Sequence, residues 1–160
     1  MRTINPSTPM RTFHDLRELA GANGETFGPS RWFEVTQDNV TAYAHSVGDL
    51  LWIHTDPERA AKESEFGTTI AHGYMTLGML PEIMRPFFRV EGISMAILVG
   101  LDKVRFHRPV RVGTRIRGTG TLTSVRVLPG GCIYGMRVSV EAEDETGPVC
   151  TADTLSRLTP

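Results

Sequence analysis

Residues 136–143 read Met-Arg-Val-Ser-Val-Glu-Ala-Glu, apolar and polar in strict alternation. A period of two puts Met136, Val138, Val140 and Ala142 on one face of a strand and their polar neighbours on the other. A strand of this kind needs a sheet with one dry face and an apolar element to cover it. The runs 93–106, 115–128, 132–144 and 148–158 supply the strands. "PGG" at 129–131 and "ETG" at 145–147 are turns that link the last three as antiparallel hairpins. The alternation slips near Thr123, which predicts a bulge.

The cover comes from earlier in the chain. From about Ala71 to Pro81 or Met84 the spacing predicts a helix that is apolar nearly all round, with Tyr74, Met75, Leu77, Met79 and Leu80. Pro81 should kink or end it. One buried helix against one face of an antiparallel sheet is an α+β arrangement. Ahead of it, residues 12–23 read as a short amphipathic helix stopped by Gly24, and 31–35 as a strand. Thr36 is placed to cap a helix running to about Val47, and Gly48 to end it. Asp49 therefore opens an irregular segment. Asp56-Pro57 starts a further short helix over 57–63, and 64–69 reads as loop.

At 160 residues the chain is expected to be one domain, 1–160, with 1–30 as a helical N-terminal extension. Lys plus Arg is 17 against 18 for Asp plus Glu, so nothing in the charge favours nucleic acid as a partner. No apolar run reaches the ~20 residues of a membrane helix. The start lacks the pattern of a secretory signal, which leaves a cytoplasmic location as the expectation. Cys132 and Cys150 make no disulfide framework and read as small buried apolar residues.

Chemistry concentrates in two stretches. In "GDLLWIH", 48–54, a carboxylate and an imidazole bracket four bulky apolar residues that need cover, so the segment is expected to turn inward. Asp after Gly is also an ordinary turn pair. Drawn against apolar walls, though, Asp49 and His54 could hold one water and divide acid and base roles. In "IAHGYM", 70–75, Gly73 falls in the first turn of the buried helix, where backbone N–H groups lack helical partners and sit at the positive end of the helix dipole. Such an amide can stabilise a carbonyl oxygen as it becomes an enolate. Gly73 could equally serve close helix–sheet packing. Asp49, His54, Asp56 and His72 have no recognised metal-ligand spacing, and no nucleophile elbow, P-loop or dinucleotide fingerprint is present. Metal and redox cofactors are therefore not expected. Lys103, Arg105, Arg108, Arg111, Arg115 and Arg117 are six cations within fifteen residues. They read as a solvated sheet face, or more sharply as a cationic rim for a phosphate handle or an acidic carrier protein.

The stretch "YAHSVGDLLWIHTDPERAAKESEFGTTIAHGYMTLGMLP", 43–81, resembles the MaoC-like hydratases, also called R-specific enoyl-CoA hydratases. It is most similar to the nodulation-protein-N-like subgroup, whose Gly-Asp…Trp-Ile-His-x-Asp-Pro…Phe-Gly…Ile-Ala-His-Gly run it follows. "GLDKVRFHRPVRVGTRIRG", 100–118, resembles the strands that come next in that family.

The resemblance implies a hotdog fold, a long central helix wrapped by an antiparallel sheet, usually dimeric with active sites near the subunit interface. It implies reversible syn addition of water to a trans-2-enoyl thioester of coenzyme A or a carrier protein, giving an (R)-3-hydroxyacyl thioester, in fatty acid metabolism. Asp49 and His54 match the catalytic pair and Gly73 the backbone donor to the thioester oxygen. Trp52 and Tyr74 would stand beside them in the substrate pocket, and so would His72 unless it points elsewhere as an ordinary polar residue near the helix start, with Lys103, Arg105 and Arg108 at the rim. The chain departs from the pattern at Leu51 and Trp52, where the usual signature has Asn-Pro, and at Leu98-Val99, where the subgroup has Asn-Tyr. The departures point to a bulkier or more apolar acyl group, or to a specialised dehydration. Fold alone does not fix the reaction. An acyl-CoA thioesterase and a non-catalytic acyl-binding or partner subunit stand as alternatives.

Overall fold

The computed structural model describes residues 9–160. Its centre is four long strands: β5 (Met95–Phe106), β6 (Arg115–Leu128), β7 (Gly131–Ala142) and β8 (Pro148–Thr159). Two short strands, β2 (Thr26–Phe27) and β3 (Phe33–Glu34), both pair with β6, so the sheet runs β2-β6-β7-β8-β5 with β3 also on the β6 edge. All these pairings are antiparallel. The alternation in β7 does what it predicts: Met136, Val138, Val140 and Ala142 are buried and Arg137 is exposed. The slip near Thr123 is a register shift between Leu122 and Ser124.

The outer face of the sheet explains the run of basic residues. Arg115 and Arg117 of β6 pair across the ladder with Glu143 and Glu141, and Arg137 of β7 pairs with Asp153 of β8. The guanidinium of Arg117 also lies 4.3 Å from the Trp32 ring centroid. These are cross-strand charge pairs of a solvated face.

The covering helix is present but broken. α5 (Gly73–Gly78) and α6 (Leu80–Met84) meet at Met79. Pro81, with no N–H and a ring that crowds the carbonyl one turn back, interrupts the ladder where the sequence predicts it. Met75, Leu80 and Ile83 from these two pieces are buried in the same cluster as the dry face of β6 and β7. The expected caps hold as well. Thr36 accepts a hydrogen bond from the Asn39 N–H at 3.2 Å at the start of α2 (Gln37–Val47), and Gly48 closes that helix at φ +76°. Asp56 caps α4 (Pro57–Glu63), accepting from the Arg59 N–H at 3.0 Å.

The N-terminal part is less helical than its composition suggests. Residues 1–8 lie outside the described residues, and of 12–23 only α1 (Leu16–Gly21) is helical. Asp15 sets its start by accepting from the N–H groups of Arg17 and Glu18. Upstream, β1 (Arg11–Phe13) is extended and pairs in parallel with β4 (Phe88–Val90). Phe13 is fully buried, edge-on to Phe27 and Phe88, so aromatic packing rather than helix propensity decides its backbone. Cys132 and Cys150 are free and buried, and burial pushes the Cys150 thiol up to about 11. Among the described residues no helix is long and apolar enough to cross a membrane.

Candidate active site

Three pieces of chain build the site. After Gly48 turns the chain out of α2, Asp49 to Leu51 run irregularly into a single helical turn, α3 (Trp52–Thr55). This turn is held locally. The His54 N–H donates to the Leu51 carbonyl at 2.9 Å, and the Thr55 hydroxyl reaches the carbonyls of Leu50 and Leu51. The third piece is the extended segment 69–72. Its Ile70 N–H donates to the Ile53 carbonyl at 3.0 Å, its Ala71 N–H to the Val110 carbonyl at 2.8 Å, and its Thr69 carbonyl accepts from the Val112 N–H at 2.9 Å. Gln37 at the base of α2 ties the pieces together, its amide donating to the His54 carbonyl at 2.7 Å while its carbonyl accepts from the Thr69 hydroxyl at 2.5 Å.

These bonds fix the His54 ring. Its Nδ1 lies 2.7 Å from the Ile70 carbonyl oxygen. A carbonyl only accepts, so Nδ1 carries the hydrogen and Nε2 is the nitrogen free to take a proton. One Asp49 carboxylate oxygen and one ring nitrogen each of His54 and His72 lie within 4.8 Å of one another. The Asp49 side chain is 55% exposed and the His72 side chain 5%. His54 and Gly73 open on one cavity of about 360 Å³, which Thr76, Phe106, Arg108 and Val149 also line. Among the described residues no hydrogen bond engages the Gly73 amide, as expected for the first residue of a helix. The Phe106 ring comes within 3.3 Å of where a Cβ on residue 73 would stand, so the glycine also serves close packing.

A wider apolar groove of about 1030 Å³ runs between α5–α6 and the sheet, lined in part by Tyr74, Leu77, Gly78, Leu98, Leu101 and Tyr134. Burial raises the Tyr134 phenol above its ordinary value, with a hydrogen bond to Ser156 opposing the shift.

The other residues expected at the pocket and its rim divide between cavity, groove and surface. Leu50 and Leu51 are not drawn inward; in the single chain they are 53% and 55% exposed. Trp52 is half-buried under the Arg59 guanidinium, 4.4 Å from its ring centroid, and lines neither cavity. Tyr74 edges the groove but is largely exposed, its ring against Phe106. His72, expected beside the substrate, is buried behind His54, the two rings stacked at 3.7 Å. Of the basic rim only Arg108 lines the His54 cavity, and it lies 3.6 Å from Glu145. Lys103 is 3.6 Å from Asp153, and Arg105 is turned to the Val104 carbonyl. Phe106, Thr76 and Gln37 had no signal of their own in the sequence.

Two imidazoles and a carboxylate this close could suit a metal. The His72 Nε2 near the carboxylate, however, also lies 3.0 Å from the Asp49 backbone carbonyl and so carries a hydrogen rather than a free lone pair. That leaves Asp49 and His54 as the free donors of the cluster, a pair that can hold a shared water.

Comparison with known proteins gives the family and the fold. The chain is 46% identical over 149 residues to the 3-hydroxyacyl-thioester dehydratase Z of Mycobacterium tuberculosis, covering 92% of this chain and 98% of that one. It is 36% identical over 146 residues to Nodulation protein N of Rhizobium meliloti, covering 88% and 89%. An unliganded R-hydratase structure from Pseudomonas aeruginosa superposes with a TM-score of 0.67 at 18% identity, covering 91% of this chain and 85% of that one, which makes the fold the hotdog fold. The MaoC like domain matches residues 18–143, and the chain belongs to that family.

Proposed function

We propose that this chain interconverts trans-2-enoyl thioesters and (R)-3-hydroxyacyl thioesters by adding or removing water. The observation that carries the reading is the convergence of Asp49 and His54 beside a cavity onto which the unengaged Gly73 amide also opens. In the hydration direction a water lies between the Asp49 carboxylate and His54 Nε2. Its oxygen bonds to C3 as one of its protons passes to Nε2, and Asp49 orients it through the other hydrogen. The π electrons move to the thioester oxygen, where the Gly73 N–H stabilises the enolate. As the carbonyl re-forms, Nε2 returns the proton to C2 on the same face. Atoms balance and nothing is oxidised or reduced, so the chemistry calls for no redox cofactor, and the dyad and the Gly73 amide handle each proton and charge in these steps without a metal. The acyl chain occupies the apolar groove, and Arg108 is the cation placed at the cavity for a coenzyme A or carrier-protein phosphate. The work belongs in the cytoplasm.

A panel of enoyl-CoA substrates, followed at the absorbance of the conjugated double bond with product chirality determined, tests this. We expect loss of absorbance, an R product, and faster turnover of longer chains than of crotonyl-CoA, because the groove is far larger than a four-carbon group. Release of free thiol at constant enoyl absorbance would instead mean a thioesterase. Tight binding with no turnover would mean a non-catalytic subunit.

The reading includes a second copy of the chain. β5 ends the sheet, and its Met95, Ile97, Leu98 and Val99 are between 45% and 49% exposed. A long apolar edge strand invites pairing, and a two-fold axis would pair β5 with its own copy. The protein is expected to sediment at twice its 17.7 kDa chain mass, and Val99→Asp to give monomers. Val99 lines neither cavity, so the charge acts on the edge alone. A monomeric wild type would contradict the pairing.

A further inference from the structure

The residue least explained by that chemistry is His72. It stands at the cap position of α5, yet its side chain makes no cap hydrogen bond, and histidine is not a favoured capping residue. It is buried, and among the described residues its Nδ1 has no hydrogen-bond partner. A buried nitrogen without a partner carries a desolvation cost that an apolar side chain of similar size would avoid. The ring's other nitrogen must therefore supply something of value. Nε2 lies 3.0 Å from the backbone carbonyl of Asp49, 23 residues away in sequence, and 3.7 Å from its carboxylate. One face of the ring stacks on His54 at 3.7 Å with planes 24° apart, and Tyr43 packs against it at 5.1 Å.

Building on the proposed function, we infer that His72 is a positioning residue: it holds Asp49 and the His54 imidazole in register, through one hydrogen bond to the Asp49 backbone carbonyl and one stacked face against His54. Asp49 needs such a hold. It follows a left-handed glycine, lies outside any helix or strand, and has a largely exposed side chain. Among the described residues the His72 ring is the one group bonded to its backbone carbonyl. Misplacement of a catalytic group by about 1 Å costs on the order of a hundredfold in rate.

The test uses side-chain reach. The amide nitrogen of Gln sits about where imidazole Nε2 does, whereas that of Asn sits nearer Nδ1. His72→Gln is therefore expected to keep kcat for enoyl-CoA hydration within about threefold of wild type, while His72→Asn and His72→Leu lose on the order of a hundredfold in kcat with KM little changed. Equal kcat for the Gln and Asn variants overturns the inference, and so does full activity in His72→Leu. If the leucine variant does not fold, the Gln–Asn contrast still decides. A long-range proton–nitrogen spectrum of the wild-type imidazoles reads the same contact without any turnover. It should show His72 with its hydrogen on Nε2, and finding it on Nδ1 overturns the inference even if the enzyme is active. Conversely, the Nε2–H form in a protein that hydrates no enoyl thioester would sink the proposed function and leave the contact standing.

Discussion

Replacing Asp49 with asparagine, or His54 with alanine, lowers kcat for enoyl-thioester hydration by about a thousandfold, within the range that a positioned acid or base contributes. The two substitutions remove different things. Asp49→Asn keeps the shape of an exposed side chain and deletes only its charge, so stability should be unchanged. His54→Ala deletes the nitrogen proposed to take the water's proton and leaves the Ile70 carbonyl without its partner, at a cost of about 1 kcal/mol in stability. Because both groups act on one water, their effects should not add: the double variant is expected to be about as slow as the slower single variant. Initial rates at the enoyl absorbance, with thermal melts alongside, give all four corners of the cycle. Rates close to wild type in both single variants, with folded protein, would exclude the dyad. Multiplication of the two losses would mean that the groups act in separate steps.

The elements of this site differ in how far the sequence announces them. Asp49, His54 and Gly73 are visible as residue types in a pattern, because chemistry restricts which side chains can do the work. The Gln37 clamp and the Ile70 carbonyl that sets the His54 tautomer are not visible. They depend on segments up to 32 residues apart meeting in space, and any backbone could supply that carbonyl. Apolar side chains alone suggest burial for Leu50 and Leu51, yet an apolar patch left on the surface looks the same in sequence. The sequence leaves the direction of His72 open for a related reason: Gly73 beside it opens on the cavity, but the direction of a side chain at a helix start is set by the local backbone.

The fold divides along the same line. β6 was readable to the residue from its turns and its slipped alternation, and α4 from Asp56-Pro57, because local rules govern both. β1 and β4 were not. Each is three residues long, and they pair in parallel from Arg11 and Phe88 onward, a contact between distant segments that the assembled aromatic cluster helps to stabilise.

Gly120→Val is expected to lower stability by about 3 kcal/mol, at the upper end for overpacking, and the melting temperature by on the order of 10 °C. Gly118 and Gly120 lie on the dry face of β6, where the segment from α6 to Phe87 comes closest to the sheet. A Cβ on residue 120 would stand 2.5 Å from Met136 Sδ and 2.8 Å from Phe87 Cε2; one on residue 118 would stand 2.7 Å from Ile83 Cγ2. Methionine could yield, but Phe87 is fully buried and stacked on Phe27 at 6.5 Å, so the ring has nowhere to go. Glycine weakens a strand through its entropy and its lack of a side chain to pack. Here that loss is offset because a bare backbone lets Ile83 and Phe87 reach the sheet. Gly78→Ala is the matched control. Residue 78 ends α5 with nothing within 4 Å of its would-be Cβ, so alanine there should leave the melting temperature unchanged or raise it by the equivalent of up to about 1 kcal/mol. Equal melting temperatures for the valine variant and wild type would mean that the helix does not rest on those glycines. The covering of the sheet, and with it the placement of Gly73 at the near end of α5, would then need another explanation.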